Sequence, residues 1–248
     1  MGFLHIFLLI LSGLLGSLAQ EDLLRKTFLF PLPTNTAHVV VKASLERPLS
    51  SFTVCMRLYT DVARAQTLFS YATEAEPNDI VVDRLSRSQY RLYVGGDAVK
   101  LNIAERAAPL PAWEHICVAW DSTSGVVQFW LDGNPLPRKA VKPGYAVAPR
   151  ASIILGQDQD AMGSGFDLMQ SFVGELTDLY MWERVLSPQE MCRVGDKRVP
   201  ANSVINWGSL AYKIRGNVVL THTLLPASRA DCGCPLQAVP CCWRRLAL

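Results

Sequence analysis

Oxygen-bearing side chains are concentrated in one short stretch of this sequence, between Leu155 and Gln170. Three carboxylates and three amides flank a bendable Gly163-Ser164-Gly165 segment, and they belong to Asp158, Asp160, Asp167, Gln157, Gln159 and Gln170. Calcium takes about six to eight oxygen ligands at loosely constrained angles and accepts carboxylates and amides together. The stretch departs from the twelve-residue D-x-D-x-D-G pattern. Taken alone, it is more typical of a solvated acidic loop than of a metal site.

The composition limits the classes of protein to which this chain can belong. Its 248 residues are 50% hydrophobic and 19% charged, which favours one large all-β domain or two smaller ones over disorder. The 24 Lys and Arg residues nearly balance the 22 Asp and Glu residues. No basic excess is available for the phosphate backbone of a nucleic acid, so an anionic ligand needs a local site.

The first 19 residues, Met1 to Ala19, resemble a secretory signal peptide. An apolar run is followed by Ser17-Leu18-Ala19, whose small residues fit a signal peptidase and predict cleavage before Gln20. The start carries no Lys or Arg, which is atypical. A membrane anchor is the alternative, but the run is shorter than the roughly 20 apolar residues that span a bilayer. We therefore expect a secreted, extracellular protein.

The seven cysteines form two groups. Cys55 and Cys117 each lie in an apolar, strand-like run, and we assign a disulfide between them that closes a loop of roughly 60 residues. The other five cannot all pair within one chain, and they are Cys192, Cys232, Cys234, Cys241 and Cys242. The spacing of the last four is too tight for a typical zinc knuckle.

Short runs of β-branched and aromatic residues, separated by turn residues, recur along the chain. They predict strands at His38–Lys42, Phe52–Tyr59, Thr67–Tyr71, Tyr90–Val94, His115–Trp120 and Val126–Leu131, with further strand-like alternation over Ala211–Leu220. Ser187-Pro188-Gln189-Glu190 has the pattern of a capping box and predicts one short helix ending near Gly195. The fold class is therefore all-β, a two-sheet antiparallel jelly-roll sandwich of the lectin-like kind with one short helix.

Several motifs together resemble one family. His115-Ile-Cys117-Val-Ala-Trp120-Asp-Ser122 is similar to the pentraxin signature H-x-C-x-[S/T]-W-x-[S/T], and departs from it at Ala119. The resemblance to short pentraxins covers Gln20 to Pro226, so that residues 227–248 form a Cys-rich tail outside it. It extends through Phe69–Thr73, Phe129-Trp130 with Asp132-Gly133, Ile154–Gln157, Ser171–Glu175, Leu179–Trp182 and Leu186–Pro188.

The resemblance implies a cyclic homopentamer that binds ligands through Ca²⁺, with two ions in each subunit. The metal ligands that it implies are Asn78, Asp158, the backbone carbonyl of Gln159, Asp160, Asp167 and Gln170. Asp158 and Asp160 would bridge the two ions. Pro77 stands where the family has Asp, and Asp158 stands where it has the longer Glu. Fewer or shorter anionic ligands predict a calcium affinity below that of the family.

The implied partners are phosphate-bearing or other anionic groups on microbial or damaged-cell surfaces, without nucleic acid specificity. Asp83 and Ala98 occupy the positions where a choline group meets an aromatic side chain and a Glu. A carboxylate at Asp83 could meet a cationic amine or be solvated at a strand end, and the lack of an apolar wall argues against selectivity for phosphocholine. Gly195 replaces a Tyr tied to effector contacts, which argues against binding of complement or Fc receptors.

The sequence also offers two other functions. Asp158 and Asp167 could flank a glycosidic bond, but calcium would hold both ionised while a general acid must carry a proton, so we expect no enzymatic activity. Alternatively, the chain could be a diverged pentraxin with weakened calcium binding and a structural role. In that case the tail cysteines would crosslink subunits, although a tail without function is the simpler interpretation.

Overall fold

The structure is a computed structural model that describes residues 23–43, 45–103 and 111–224. Almost all regular structure in this part of the chain is antiparallel β. The strands are β1 Lys26–Phe30, β2 His38–Lys42, β3 Ser51–Tyr59, β4 Gln66–Thr73, β5 Ile80–Ser86, β6 Gln89–Val94, β7 Asp97–Asn102, β8 Glu114–Asp121, β9 Val126–Leu131, β10 Asn134–Pro135, β11 Lys139–Ala140, β12 Ala151–Leu155, β13 Gly174–Trp182, β14 Ile205–Asn206, β15 Ala211–Arg215 and β16 Val219–His222.

These strands form two sheets. The nine-stranded sheet has the order β10-β9-β8-β3-β13-β1-β16, with β11 beside β9 and β14 beside β13, and the seven-stranded sheet has the order β15-β2-β12-β4-β5-β6-β7. Neighbours in the sheets are often distant in sequence, as in a sandwich with crossing connections. This architecture confirms the predicted all-β sandwich with one short helix.

The core lies between the two sheets and is rich in aromatic side chains. Trp120, Trp182 and Trp207 are fully buried, as are Phe69 and Phe129 from opposite sheets. Burying one such side chain stabilises the fold by roughly 1.5–3 kcal/mol. Because side chains alternate along a strand, the opposite face of each strand is free to carry other groups.

The predicted strands agree with the structure to within two residues at each end, except near the C-terminal end of the sandwich. The strand-like alternation predicted over Ala211–Leu220 corresponds to two strands in the structure. A turn at Gly216, where φ is +65°, divides it into β15 and β16, and these strands belong to different sheets. The alternation of side chains is similar on both strands, so it does not reveal which sheet each one joins.

The predicted helix is α1, Pro188–Gly195, and its capping box is present. The Glu190 backbone N–H donates to Ser187 Oγ, and the Glu190 carboxylate accepts from the Ser187 N–H at 2.9 Å. Met191 and Val194, three residues apart on one face of the helix, are buried against the sandwich. Cys192 also lies on this helix and is buried.

The predicted disulfide between Cys55 and Cys117 is present. The two residues are direct cross-strand partners on β3 and β8, and both are buried. His115 lies beside them in the core, where burial lowers the pKa of its imidazole to about 3, so it stays neutral. Cys55, His115 and Cys117 are close enough to resemble a metal cluster. They cannot act as one, because the two sulfurs are bonded to each other.

The predicted signal peptide and the Cys-rich tail, with Cys232, Cys234, Cys241 and Cys242, lie outside the described residues. Within residues 23–43, 45–103 and 111–224, no helix is long and apolar enough to cross a membrane.

Candidate metal centre

The oxygen-rich stretch after β12 lies across the outer face of the seven-stranded sheet. The Gln159 Nε2 group donates to the Ser70 carbonyl, to Ser70 Oγ at 3.0 Å and to the Ser152 carbonyl. Phe166 packs against the His38 ring on β2. Ser70 alternates with the core residues Phe69 and Tyr71, which places it on the face away from the core. We call residues 156–170 the acidic loop.

Backbone geometry and short contacts shape the acidic loop. Gly156 and Gly165 both have positive φ, and a Cβ on Gly165 would lie only 2.7 Å from the Cβ of Asp160. Ala161 and Ser164 exchange backbone hydrogen bonds across the tip of the loop. The loop is therefore closely folded, and its glycines are required where its two limbs meet.

Gln159 has its side chain fully committed to holding the loop. Its Nε2 group is bound to β4 and β12, and its Oε1 atom accepts from the Gly163 N–H at 2.8 Å. The backbone carbonyl is therefore the group of Gln159 that is left to act as a metal ligand, as the resemblance implies. Gln157 points elsewhere and donates to the Ala37 carbonyl at 3.0 Å, so it serves the loop as an anchor.

Asp158 lies at the centre of the candidate site. Its Oδ2 atom is 3.2 Å from Gln170 Nε2, and its Oδ1 atom accepts from the Gln159 N–H. Burial raises its pKa to about 6, and the negative charges of Asp83 and Asp160 add to the rise. A carboxylate that is buried among other carboxylates is a position where a cation would be stabilising.

The other candidate ligands of the acidic loop differ in exposure and in their contacts. Asp160 and Asp167 are exposed, and the Asp167 carboxylate accepts from the Met169 N–H at 2.9 Å. Gln170 Oε1 is the atom that would bind a metal, whereas its Nε2 atom now faces Asp158. Rotating the amide by half a turn would exchange the two atoms at little steric cost, because they are nearly the same size.

Asn78 comes from a separate part of the chain, the turn between β4 and β5. Its Oδ1 atom is buried and has no hydrogen-bond partner among the described residues. A buried carbonyl oxygen without a donor costs roughly 1–3 kcal/mol. A hard cation would satisfy this oxygen, and the donor set of carboxylates and amide or backbone carbonyls suits Ca²⁺ chemically. The residues present therefore fit a calcium site.

The sequence left two environments open for Asp83, contact with a cationic amine or solvation at a strand end. The structure shows a third. Asp83 is 2% exposed in the middle of β5, and its Oδ2 atom accepts from Arg91 Nε at 2.8 Å and from Arg91 Nη2 at 2.6 Å. The Thr67 hydroxyl donates a hydrogen bond to Asp83 Oδ1 at 2.8 Å. Burial raises the pKa of Asp83, while the Arg91 charge opposes the rise. Asp83 is thus neither solvated nor available to a cationic ligand.

The sequence of this chain is similar to those of known proteins. The model of the Pentaxin family matches residues 26–222. This chain is a pentraxin. Human serum amyloid P-component is 42% identical over 212 residues, which cover 85% of this chain and 93% of that protein. Pig C-reactive protein is 40% identical over 223 residues, covering 90% of this chain and 99% of that protein.

The fold of this pentraxin is also found in a solved structure. The heptameric SAP-like pentraxin from Limulus polyphemus aligns with a TM-score of 0.76 at 22% identity, covering 84% of this chain and all of that one. At this level of identity the comparison supports the sandwich fold alone.

Sequence reasoning missed two residues of this pentraxin next to Asp83 and Ala98. Arg91 is the cross-strand partner of Asp83, and Tyr93 is the partner of exposed Ala98. The Arg91 guanidinium lies 4.6 Å from the centre of the Tyr93 ring. An aromatic side chain is therefore present on this face, at a position where only the strand register reveals it.

Proposed function

We propose that this pentraxin is a secreted, calcium-dependent recognition protein that binds phosphorylated or other anionic groups on microbial or damaged-cell surfaces. The observation that carries the proposal is the buried Asn78 Oδ1 atom, which has no hydrogen-bond partner in the described part of the chain, together with an acidic loop that supplies the remaining oxygen ligands. Pentraxin homologues bind calcium. Asn78, Asp158, the Gln159 carbonyl, Asp160, Asp167 and Gln170 would hold two ions.

The bound ions would give an anionic oxygen a local positive target, which the formal net charge of +2 on the whole chain does not provide. Asp158 and the other residues of the loop would hold the ions, and the sheet beneath would hold the loop. Nothing in this arrangement requires a protonated carboxyl group, which supports binding without catalysis. The buried disulfide is consistent with an oxidising, extracellular compartment, and we expect a homopentamer.

The proposal is tested by binding of the purified secreted protein to matrices that carry phosphoethanolamine, phosphocholine or pyruvylated sugar. We expect retention on at least one matrix in millimolar calcium and complete elution by a chelator. Retention that persists in excess chelator would contradict the calcium-dependent mechanism.

Replacing Pro77 by Asp is expected to strengthen calcium binding by roughly tenfold, because it adds a carboxylate next to Asn78. Pro77 is partly exposed, and the Asn78 N–H already donates to the Glu76 carboxylate at 2.9 Å, so the turn tolerates negative charge. The measurement is a calorimetric calcium titration of both proteins. Pro77→Ala is the matched control, since it removes the proline ring without adding charge. Equal affinities for the Asp and Ala variants would contradict the prediction.

A further inference from the structure

Two cationic side chains lie in register on the outer face of the seven-stranded sheet, beside the acidic loop. Asp83 on β5 is directly opposite Arg91 on β6, and Arg91 is directly opposite Lys100 on β7. Residues that are directly opposite on neighbouring strands point to the same face. Arg91 and Lys100 alternate with the core residues Leu92, Val99 and Leu101, which confirms that this face is the outer one. We call Arg91 and Lys100 the cationic pair.

Arg91 is held in one orientation. Its Nε and Nη2 atoms bind one oxygen of Asp83, and its guanidinium plane lies above the Tyr93 ring. Its side chain is still 24% exposed, and no described residue accepts a hydrogen bond from Nη1. A guanidinium that is already fixed loses little conformational entropy when it binds a carboxylate or phosphate. Lys100 is exposed and has no acidic partner within salt-bridge distance among the described residues.

A continuous series of contacts connects the cationic pair with the candidate calcium site. The Gln170 side chain contacts Asp158, and its backbone carbonyl accepts from the Thr67 N–H at 2.9 Å. The Thr67 hydroxyl binds Asp83, which binds Arg91. Since neighbouring strands are about 4.8 Å apart, Lys100 lies roughly 10 Å from Asp83 across the sheet.

We propose that the cationic pair makes this pentraxin select ligands that carry two anionic groups. This inference rests on the proposed function: one group binds the calcium ions, and the second binds Arg91 and Lys100. A quaternary or primary amine at the second position would instead meet two like charges. The nearby carboxylate of Asp83 cannot offset them, because Arg91 and Thr67 occupy both of its oxygens.

The test compares two small molecules that differ in one group. O-phosphoserine is phosphoethanolamine with an added carboxylate, so the ratio of their affinities isolates the second anionic group. In calorimetric titrations of the full secreted protein at saturating calcium, we expect O-phosphoserine to bind about tenfold more tightly, since one charge-assisted contact is added. The preference should shrink as salt is raised.

Variants show which residues produce this ratio. Lys100→Gln is expected to lower it about threefold, and the double variant Asp83→Asn/Arg91→Gln is expected to bring it close to one. The double variant is used because removing Arg91 alone would leave the Asp83 carboxylate buried without its partner. Lys139→Gln, on exposed β11 of the other sheet, is the matched control and should leave the ratio unchanged.

A calcium titration without ligand is performed on wild type and on every variant. It distinguishes failure of this inference from failure of the proposed function. If wild type binds phosphoethanolamine and O-phosphoserine equally well in calcium, the inference is overturned and the proposed function stands. If the ratio survives in both Lys100→Gln and the double variant, the cationic pair is not its source and the inference fails in the same way. If wild type binds no calcium, both the inference and the proposed function fail.

Discussion

Replacing Asp158 by Asn is expected to weaken calcium binding by on the order of 100-fold and to abolish calcium-dependent ligand binding. Asp158 is the most buried of the proposed carboxylate ligands, at 5% exposure, and we propose that it bridges both ions. Asn has nearly the same size and keeps one oxygen, so the acidic loop should retain its fold. Calcium affinity would fall because Asn lacks the negative charge that, in our proposal, stabilises both ions.

Calorimetric calcium titration and retention on a phosphoethanolamine matrix measure the two effects. Glu46→Gln is the matched control, because Glu46 is an exposed carboxylate on a loop outside the candidate site. It should leave both measurements unchanged. Wild-type calcium affinity in Asp158→Asn would show that the ions, if bound, are held elsewhere. Circular dichroism of the variant without calcium should match wild type.

Removing the disulfide by Cys55→Ala/Cys117→Ala is expected to lower the free energy of unfolding by about 4 kcal/mol. The two cysteines are 62 residues apart, so the bond closes a long loop and restricts the unfolded chain. Both lie in the core of the nine-stranded sheet, where their sulfur atoms also fill space. Urea denaturation in the presence of a chelator measures the loss, since bound calcium would otherwise add stability.

Cys192→Ala is the control for this double variant. Cys192 is buried on α1 but lies outside the Cys55–Cys117 bond, so its replacement removes a sulfur atom and leaves that bond intact. We expect a loss of about 1 kcal/mol from the smaller buried area. If both variants lose the same free energy of unfolding, the contribution of Cys55 and Cys117 to stability comes from packing of their sulfur atoms and not from loop closure.

Local patterns carried most of the information about the fold. β2 and β9 have the predicted bounds, because short alternating runs between turn residues determine where a strand starts and ends. The capping box and the buried face of α1 were also predictable, since their contacts span only a few residues. The division of Ala211–Leu220 between two sheets was not, because it depends on which distant strands are available as partners.

The candidate site also combines features that local sequence patterns predict with features that depend on residues distant in sequence. The family, the oxygen donors of the acidic loop and the disulfide could all be predicted from the sequence, because each is expressed in residue types at short spacings or in family motifs. The contacts of Asp83 could not be predicted in this way. Arg91 is eight residues away in sequence but directly opposite in the sheet, and strand register places its guanidinium on the carboxylate. The same register sets Lys100 beside Arg91 and Tyr93 beside Ala98. Register follows from burial of one face of every strand in the sheet, a property of the whole sandwich that no single segment of the chain contains.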